Sequence, residues 1–187
     1  MNKMRKKSSL ISIITILFIS AVLFVIHTIY VDYEGRQYYF KDHQSINLSE
    51  EKIDNIKLHE NIHSPAFESK YRKALSQDDN NMYDYFHWKN GLKTASINKG
   101  KNKGKIVRLI LSSDEGEKPD LKTSRGISIG SFKQEVLQKY GTHNYKRSEQ
   151  GVGIIGYVDH KQKSTMEFWL NGKNEVFEIR FDDANVK

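Results

Sequence analysis

Gly126-Ile127-Ser128-Ile129-Gly130-Ser131-Phe132-Lys133-Gln134-Glu135-Val136-Leu137-Gln138-Lys139-Tyr140-Gly141 carries more fold information than any other stretch of the chain. Ser131 with Gln134 three residues on has the form of a capping box, in which a hydroxyl and a side-chain amide satisfy the first free N–H groups of a helix. Phe132, Val136, Leu137 and Tyr140 then fall on one helical stripe, and Gly141 can close a helix without steric strain. The spacing predicts an amphipathic helix that opens at a glycine turn.

Downstream, alternation predicts strands at Ile154 to Asp159, Thr165 to Leu170 and Val176 to Phe181, with Asn171-Gly172 in the last hairpin. The same order occurs upstream. Ser64-Pro65 supplies an N-cap and a first-turn proline, Phe67, Tyr71, Ala74 and Leu75 follow at helical spacing to near Gln77, and Asp78-Asp79-Asn80-Asn81 reads as a polar loop. Strands are then expected at Met82 to Trp88, Leu92 to Ile97 and Ile106 to Leu111, joined by Lys89-Asn90-Gly91 and a Lys/Gly/Asn-rich turn. Ile56 and Ile127 differ by 71 positions, Tyr71 and Tyr140 by 69, and Ile106 and Val176 by 70. A fixed offset with loop-sized slippage is the mark of a diverged internal repeat. The expected fold is α+β: a tandem unit of one helix plus a three-stranded antiparallel meander, at 56–112 and 126–183, with helices on one sheet face and a linker at 113–125.

The N-terminal end has a different character. Leu10 to Val31 contains no Asp, Glu, Lys or Arg, and about 22 helical residues reach about 33 Å, enough for a hydrocarbon core of about 30 Å. Lys3, Arg5, Lys6 and Lys7 precede it, while Tyr30 and Tyr33 stand where an aromatic belt would be. A cleaved signal peptide would have a shorter apolar region followed by small residues. Ile26-His27-Thr28-Ile29-Tyr30 has no such site, so the expectation is an uncleaved signal anchor at 10–31 with a cytoplasmic basic tail at 1–9. His27 is expected to reach the headgroups. A membrane-proximal segment at 32–55 follows, including a strand-like Arg36 to Lys41 and a short helix from Ser49-Glu50-Glu51 to near Lys57.

The 187 residues carry a formal charge of +7, but residues 32–187 hold 26 Lys plus Arg against 23 Asp plus Glu, so four of the seven excess charges lie before the span. Basicity is therefore mainly a topology signal, and nucleic acid is not an expected partner. The chain has no cysteine, which excludes disulfide scaffolds, thiolate metal sites and cysteine nucleophiles.

The Gly126 to Gly141 string, followed by its meander, resembles the repeat unit of β-lactamase-inhibitor-protein-like domains and of the SmpA/OmlA (BamE-like) lipoproteins, where a Gly-x-Ser/Thr turn caps a helix containing Glu-Val and ending in Tyr/Leu-Gly. Thr142-His143 replaces the proline usual soon after that helix, and the first copy lacks the glycines. The resemblance implies helices on one sheet face and a role in binding proteins of the bacterial envelope rather than catalysis; it names no partner.

Chemistry-bearing strings are few. His59-Glu60-Asn61-Ile62-His63 is a literal H-E-x-x-H, which on a helix would let His59 and His63 hold zinc while Glu60 acts as general base. Ser64-Pro65 directly follows and reads as the start of a new helix, so a zinc hydrolase is the alternative and no cofactor is expected. Gly151-Val152-Gly153-Ile154-Ile155-Gly156 matches G-x-G-x-x-G, but it leads into a strand rather than a helix, so it reads as a flexible hairpin. On the sheet, Met166, Phe168 and Leu170 with Phe177, Ile179 and Phe181 should pack under the helices. The opposite face is expected to present Glu167, Trp169, Val176, Glu178 and Arg180, extended by Tyr85, Trp88 and Arg108, a composition typical of a partner-binding surface. Lys99, Lys101, Lys103 and Lys105 crowd one turn that could meet an anionic surface. The expected function is a plasma-membrane-anchored, extracytoplasmic binding domain for an envelope protein or anionic envelope ligand; a structural spacer without a ligand is the second alternative.

Overall fold

The computed structural model describes residues 2–71, 74–88, 91–113 and 119–186. The expectations for Lys89-Asn90 and for Asp114 to Lys118 lie outside them. Two compact units divide the chain, 1–41 and 42–187.

The first unit is helical: α1 spans Asn2–Glu34 and α2 Arg36–Asp42. Within α1, the 18 residues Ile13–Tyr30 have a mean hydropathy of 2.4 and none is buried. Leu17, Phe18 and Phe24 are among the most exposed apolar side chains. This helix is long and apolar enough to cross a membrane, and a signal sequence would pass the same test. The Tyr38 ring lies 6.0 Å from that of His27 and 6.1 Å from that of Tyr30. Arg36 to Lys41, expected as strand-like, is helical instead. Gly35, at φ 50°, breaks α1 from α2, so the aromatic run continues in a second helix rather than extending.

In the second unit, α3 (Pro65–Tyr71) precedes β1 (Ser76–Asp79), β2 (Tyr83–His87), β3 (Leu92–Ile97) and β4 (Ile106–Ser112). Then α4 (Lys133–Tyr140) precedes β5 (Tyr145–Glu149), β6 (Val152–Asp159), β7 (Ser164–Leu170) and β8 (Val176–Asp183). All eight strands form one antiparallel sheet in the order β1-β2-β3-β4-β8-β7-β6-β5. Each helix is thus followed by four strands, not the three expected. The additional ones are the edge strands β1 and β5, whose sequences Ser-Gln-Asp-Asp and Tyr-Lys-Arg-Ser-Glu are too polar to read as strands and need only one neighbour each.

Period-2 alternation sorts the side chains. Leu109, Leu111, Met166, Phe168, Ile179 and Phe181 point to the face that α3 and α4 cover, in one core with Phe67, Val136 and Tyr140. Tyr140 meets Tyr157 and Phe168 at 5.3 and 4.9 Å, and Phe67 meets Trp88 at 5.1 Å. Helix α4 begins one residue later than the Ser131 cap predicts. Ser131 is already tied to β8, its carbonyl accepting from Val176 N–H, while the Phe132 N–H donates to Glu135. The cap is therefore a glutamate reaching back from the first turn. Helix α3 is described over Pro65–Tyr71; Ala74 and Leu75 lie outside it, and Leu75 N–H donates instead to the His87 carbonyl at the end of β2.

The segment before α3 also belongs to this unit. Leu48, Ile53, Ile56 and Ile62 are buried in the core. The helix expected from Ser49 to Lys57 is absent, because Asp54 and Asn55 take φ 51° and 67° in a tight turn that places Ile53 and Ile56 inward together. From Pro119 onward the expected linker is packed as well, with Leu121 and Thr123 buried. Glu51, 3% exposed, holds these loops to α4. It accepts from Tyr140 Oη at 2.8 Å, Ser124 N at 3.0 Å and Arg125 Nε at 3.1 Å. Burial raises its carboxyl pKa, and these bonds only partly offset that.

Candidate functional site

Around Trp169, the face turned away from the helices is built by β5, β6, β7 and β8, with β4 beside them. Register places Trp169 opposite Glu178 and Glu167 opposite Arg180. Trp169 is 6% exposed, less than a free surface aromatic would be. The Arg180 guanidinium lies 3.9 Å from its ring centroid and that of Arg147 5.5 Å. Cations over an indole face are attracted by its quadrupole. Each arginine is aimed by a carboxylate: Arg180 Nε donates to Glu178. Arg147 donates twice to Glu167, from Nε at 2.8 Å and Nη2 at 2.9 Å. Tyr145 Oη donates to the same carboxylate at 2.7 Å. Burial would lower the pKa of Arg147, but the hydrogen bonds and charges of Glu167 and Glu149 outweigh it and hold the guanidinium ionised. The Trp169 Nε1 is buried with no hydrogen-bond partner.

Arg108 joins this face from β4, Nε donating to the buried Asp182 at 2.8 Å and Nη2 at 3.4 Å. Beside it, Ala95, Val107 and Val186 are buried and Tyr83, Tyr85 and Ile97 pack against them. Trp88 does not belong here. It sits on the helix-covered side against Phe67, Tyr71 and Phe86, with Nε1 donating to Thr94 Oγ1 at 3.0 Å. The parity of β2 explains it, since Tyr83 and Tyr85 point one way and Phe86 and Trp88 the other. Glu167, Trp169, Glu178, Arg180 and Arg108 share this face as expected, but the register shift at Leu170 turns Val176 into the helix-covered core in place of Phe177, and Tyr145, Arg147 and Asp182 join the face without having been expected there. The alternation Tyr145-x-Arg147-x-Glu149 was the available signal.

His59-Glu60-Asn61-Ile62-His63 is not helical. It lies in turns before α3, and His59 takes φ 69°, so the four-residue spacing does not bring its two imidazoles onto one helix face. His59 Nε2 pairs with Asp183 Oδ2 at 2.7 Å, while His63 Nδ1 stands 3.9 Å from Glu68. Among the described residues no three His, Cys, Asp or Glu side chains group as a metal site. Lys99, Lys101, Lys103 and Lys105 are all exposed in the β3–β4 turn. Gly104, at φ 82°, lets that turn press on Asn61, whose Oδ1 would lie 2.6 Å from any added Cβ.

No protein family and no curated protein matches the chain. Two solved structures resemble it. One is an extracellular protein containing an SCP domain from Bacillus anthracis, 9% identical, aligned over 67% of this chain and 44% of that one with a TM-score of 0.42. The other is a DUF4309 family protein from Bacillus subtilis, 12% identical, aligned over 79% of this chain and 92% of that one with a TM-score of 0.40. The chain thus spans less than half the length of the SCP-domain protein.

Proposed function

We propose that the chain is a single-pass, N-in protein of the bacterial plasma membrane whose external domain binds an envelope protein or anionic envelope ligand through the sheet face opposite α3 and α4, without catalysis. The observation that carries this reading is the makeup of that face. Tyr83, Tyr85, Ile97, Arg108, Glu178 and Arg180 are half-buried along it, with Arg147 and Arg180 over the Trp169 ring, and aromatics with oriented arginines are the residues that concentrate binding energy at interface centres. The exposed apolar helix Ile13–Tyr30 supports the membrane half of the reading, since lipid is the solvent that such a surface requires. The symmetric strand order about β4 and β8 supports descent from a duplicated unit, in keeping with the resemblance to inhibitor-protein-like and BamE-like repeats. The four exposed lysines of the β3–β4 turn would each contribute about 1 kcal/mol near an anionic surface.

A photo-crosslinking side chain placed at Tyr85 in the intact protein in its own membranes should yield a defined adduct, whereas the same group at Lys139 on α4 should not. Equal labelling from both positions, or none from Tyr85, would contradict the assigned face.

A further inference from the structure

A cleft of about 360 Å³ opens at the corner of the sheet where β5 turns into β6 and β7 ends. Ligand sites commonly run from about 300 to 1,000 Å³. Lys133 from the start of α4 and Lys146 from β5 line it, together with Gly151, Gly153 and the Asn171 turn, over the core residues Ile155 and Leu170. Arg147 contributes to the wall, but its charge is engaged by Glu167 and Glu149. Lys133 and Lys146 have no ion-pair partner, and no Asp or Glu lines the cleft, among the described residues. Two cations without a carboxylate partner thus line one cleft, which backs onto the core at Ile155 and Leu170.

The glycines give an independent indication. Gly151 needs its φ of 80°, as the β5–β6 turn requires. Gly153 does not: it lies inside β6, its φ is outside the left-handed region, and an added Cβ would meet nothing within 4 Å. A glycine inside a strand weakens it by about 0.5 to 1 kcal/mol relative to alanine. Where neither backbone nor packing demands it, such a glycine marks a place where another molecule approaches the backbone closely. Here the space that a side chain would take is the cleft itself. The G-x-G-x-x-G string thus gains a role unrelated to a dinucleotide fingerprint, because no helix follows it.

We propose that this cleft binds a small amphiphilic anion, with a phosphate or carboxylate head between Lys133 and Lys146 and an apolar body lying along the bare backbone of Gly151 and Gly153. The cleft borders the face around Trp169, with Arg147 common to both, but the proposal rests on Lys133, Lys146 and Gly153 and not on that face binding a partner.

The test is amide chemical-shift titration of the full chain in neutral detergent with phenyl phosphate, benzoate and, as uncharged control, benzyl alcohol. Saturable shifts centred on Gly151, Gly153 and Gly172 with either anion, absent with benzyl alcohol, are expected, and the tighter anion identifies the head group. The double substitution Lys133→Gln, Lys146→Gln should weaken binding at least tenfold. Gly153→Val, a strand-compatible side chain that fills the cleft, should abolish it while leaving the remaining spectrum in place. Absence of saturable shifts with both anions, equal response to benzyl alcohol, shifts centred on the Lys99 to Lys105 turn, or undiminished binding by both variants would overturn the proposal.

Discussion

The Arg180 guanidinium stacks 3.9 Å from the centre of the Trp169 ring, on a strand next to it in the sheet. That contact makes the tryptophan part of a packed layer, with Arg147 as a second cation over its ring. Trp169→Ala should therefore destabilise the protein by about 3 to 5 kcal/mol, the range for truncating a buried aromatic. A cycle with Arg180→Ala should reveal a coupling of about 0.5 to 2 kcal/mol. Denaturant unfolding of the single and double variants measures both, and additive effects would show that the stack contributes nothing.

Gly156 lies directly opposite Tyr145, whose ring atoms would stand 2.0 Å from an added Cβ. Gly156→Ala should destabilise the protein by about 1 to 3 kcal/mol through overpacking. The same substitution in a Tyr145→Ala background should do markedly less damage, because the obstructing ring is gone. Unfolding midpoints of the four proteins decide it.

Asp183 accepts from His59 and from Asn185. Burial pushes its carboxyl pKa up, but these partners outweigh burial and hold it below the usual carboxylate value. The native state then binds fewer protons than the unfolded one, so this contribution is complete above the unfolded pKa of about 3.9 and is lost as pH falls through the lower native value. Asp183→Asn should reduce stability at pH 7 and approach the parent protein in acid. Parallel pH profiles of the two proteins would contradict the linkage.

Phe18 and Val22 lie in the middle of the apolar helix segment Ile13–Tyr30. An arginine at the centre of a span raises the insertion free energy by about 2.5 to 3.5 kcal/mol. Phe18→Arg with Val22→Arg should move the protein out of the carbonate-resistant membrane fraction, whereas Phe18→Leu with Val22→Leu should not.

The parts legible in the sequence are those whose side chains alternate between core and surface. Strands β3, β4, β7 and β8 and helix α4 carry apolar residues at a regular period, so hydrophobicity alone locates them, although β7 proves to be buried on both faces. Edge strands escaped because β1 and β5 are polar, and their strand state depends on neighbours distant in pattern from themselves. The segment from Ser49 to Lys57 is ambiguous in sequence because Ile53 and Ile56, three apart, fit a helix as well as the tight turn they form. The site shows the same division. Trp169, Arg180 and Glu178 share a readable alternation, but Arg147 reaches them only through the pairing of β5 with β6. Trp88 was misplaced for want of one residue of strand parity.

The most direct measurement of the account is the mass and protease accessibility of the chain in intact cells. An uncleaved, N-in anchor gives a full-length chain that keeps Lys3 to Lys7, remains in carbonate-washed membranes, and loses its 42–187 domain to protease added outside. A chain found soluble and beginning after Tyr30, or a domain that external protease cannot reach, would contradict it.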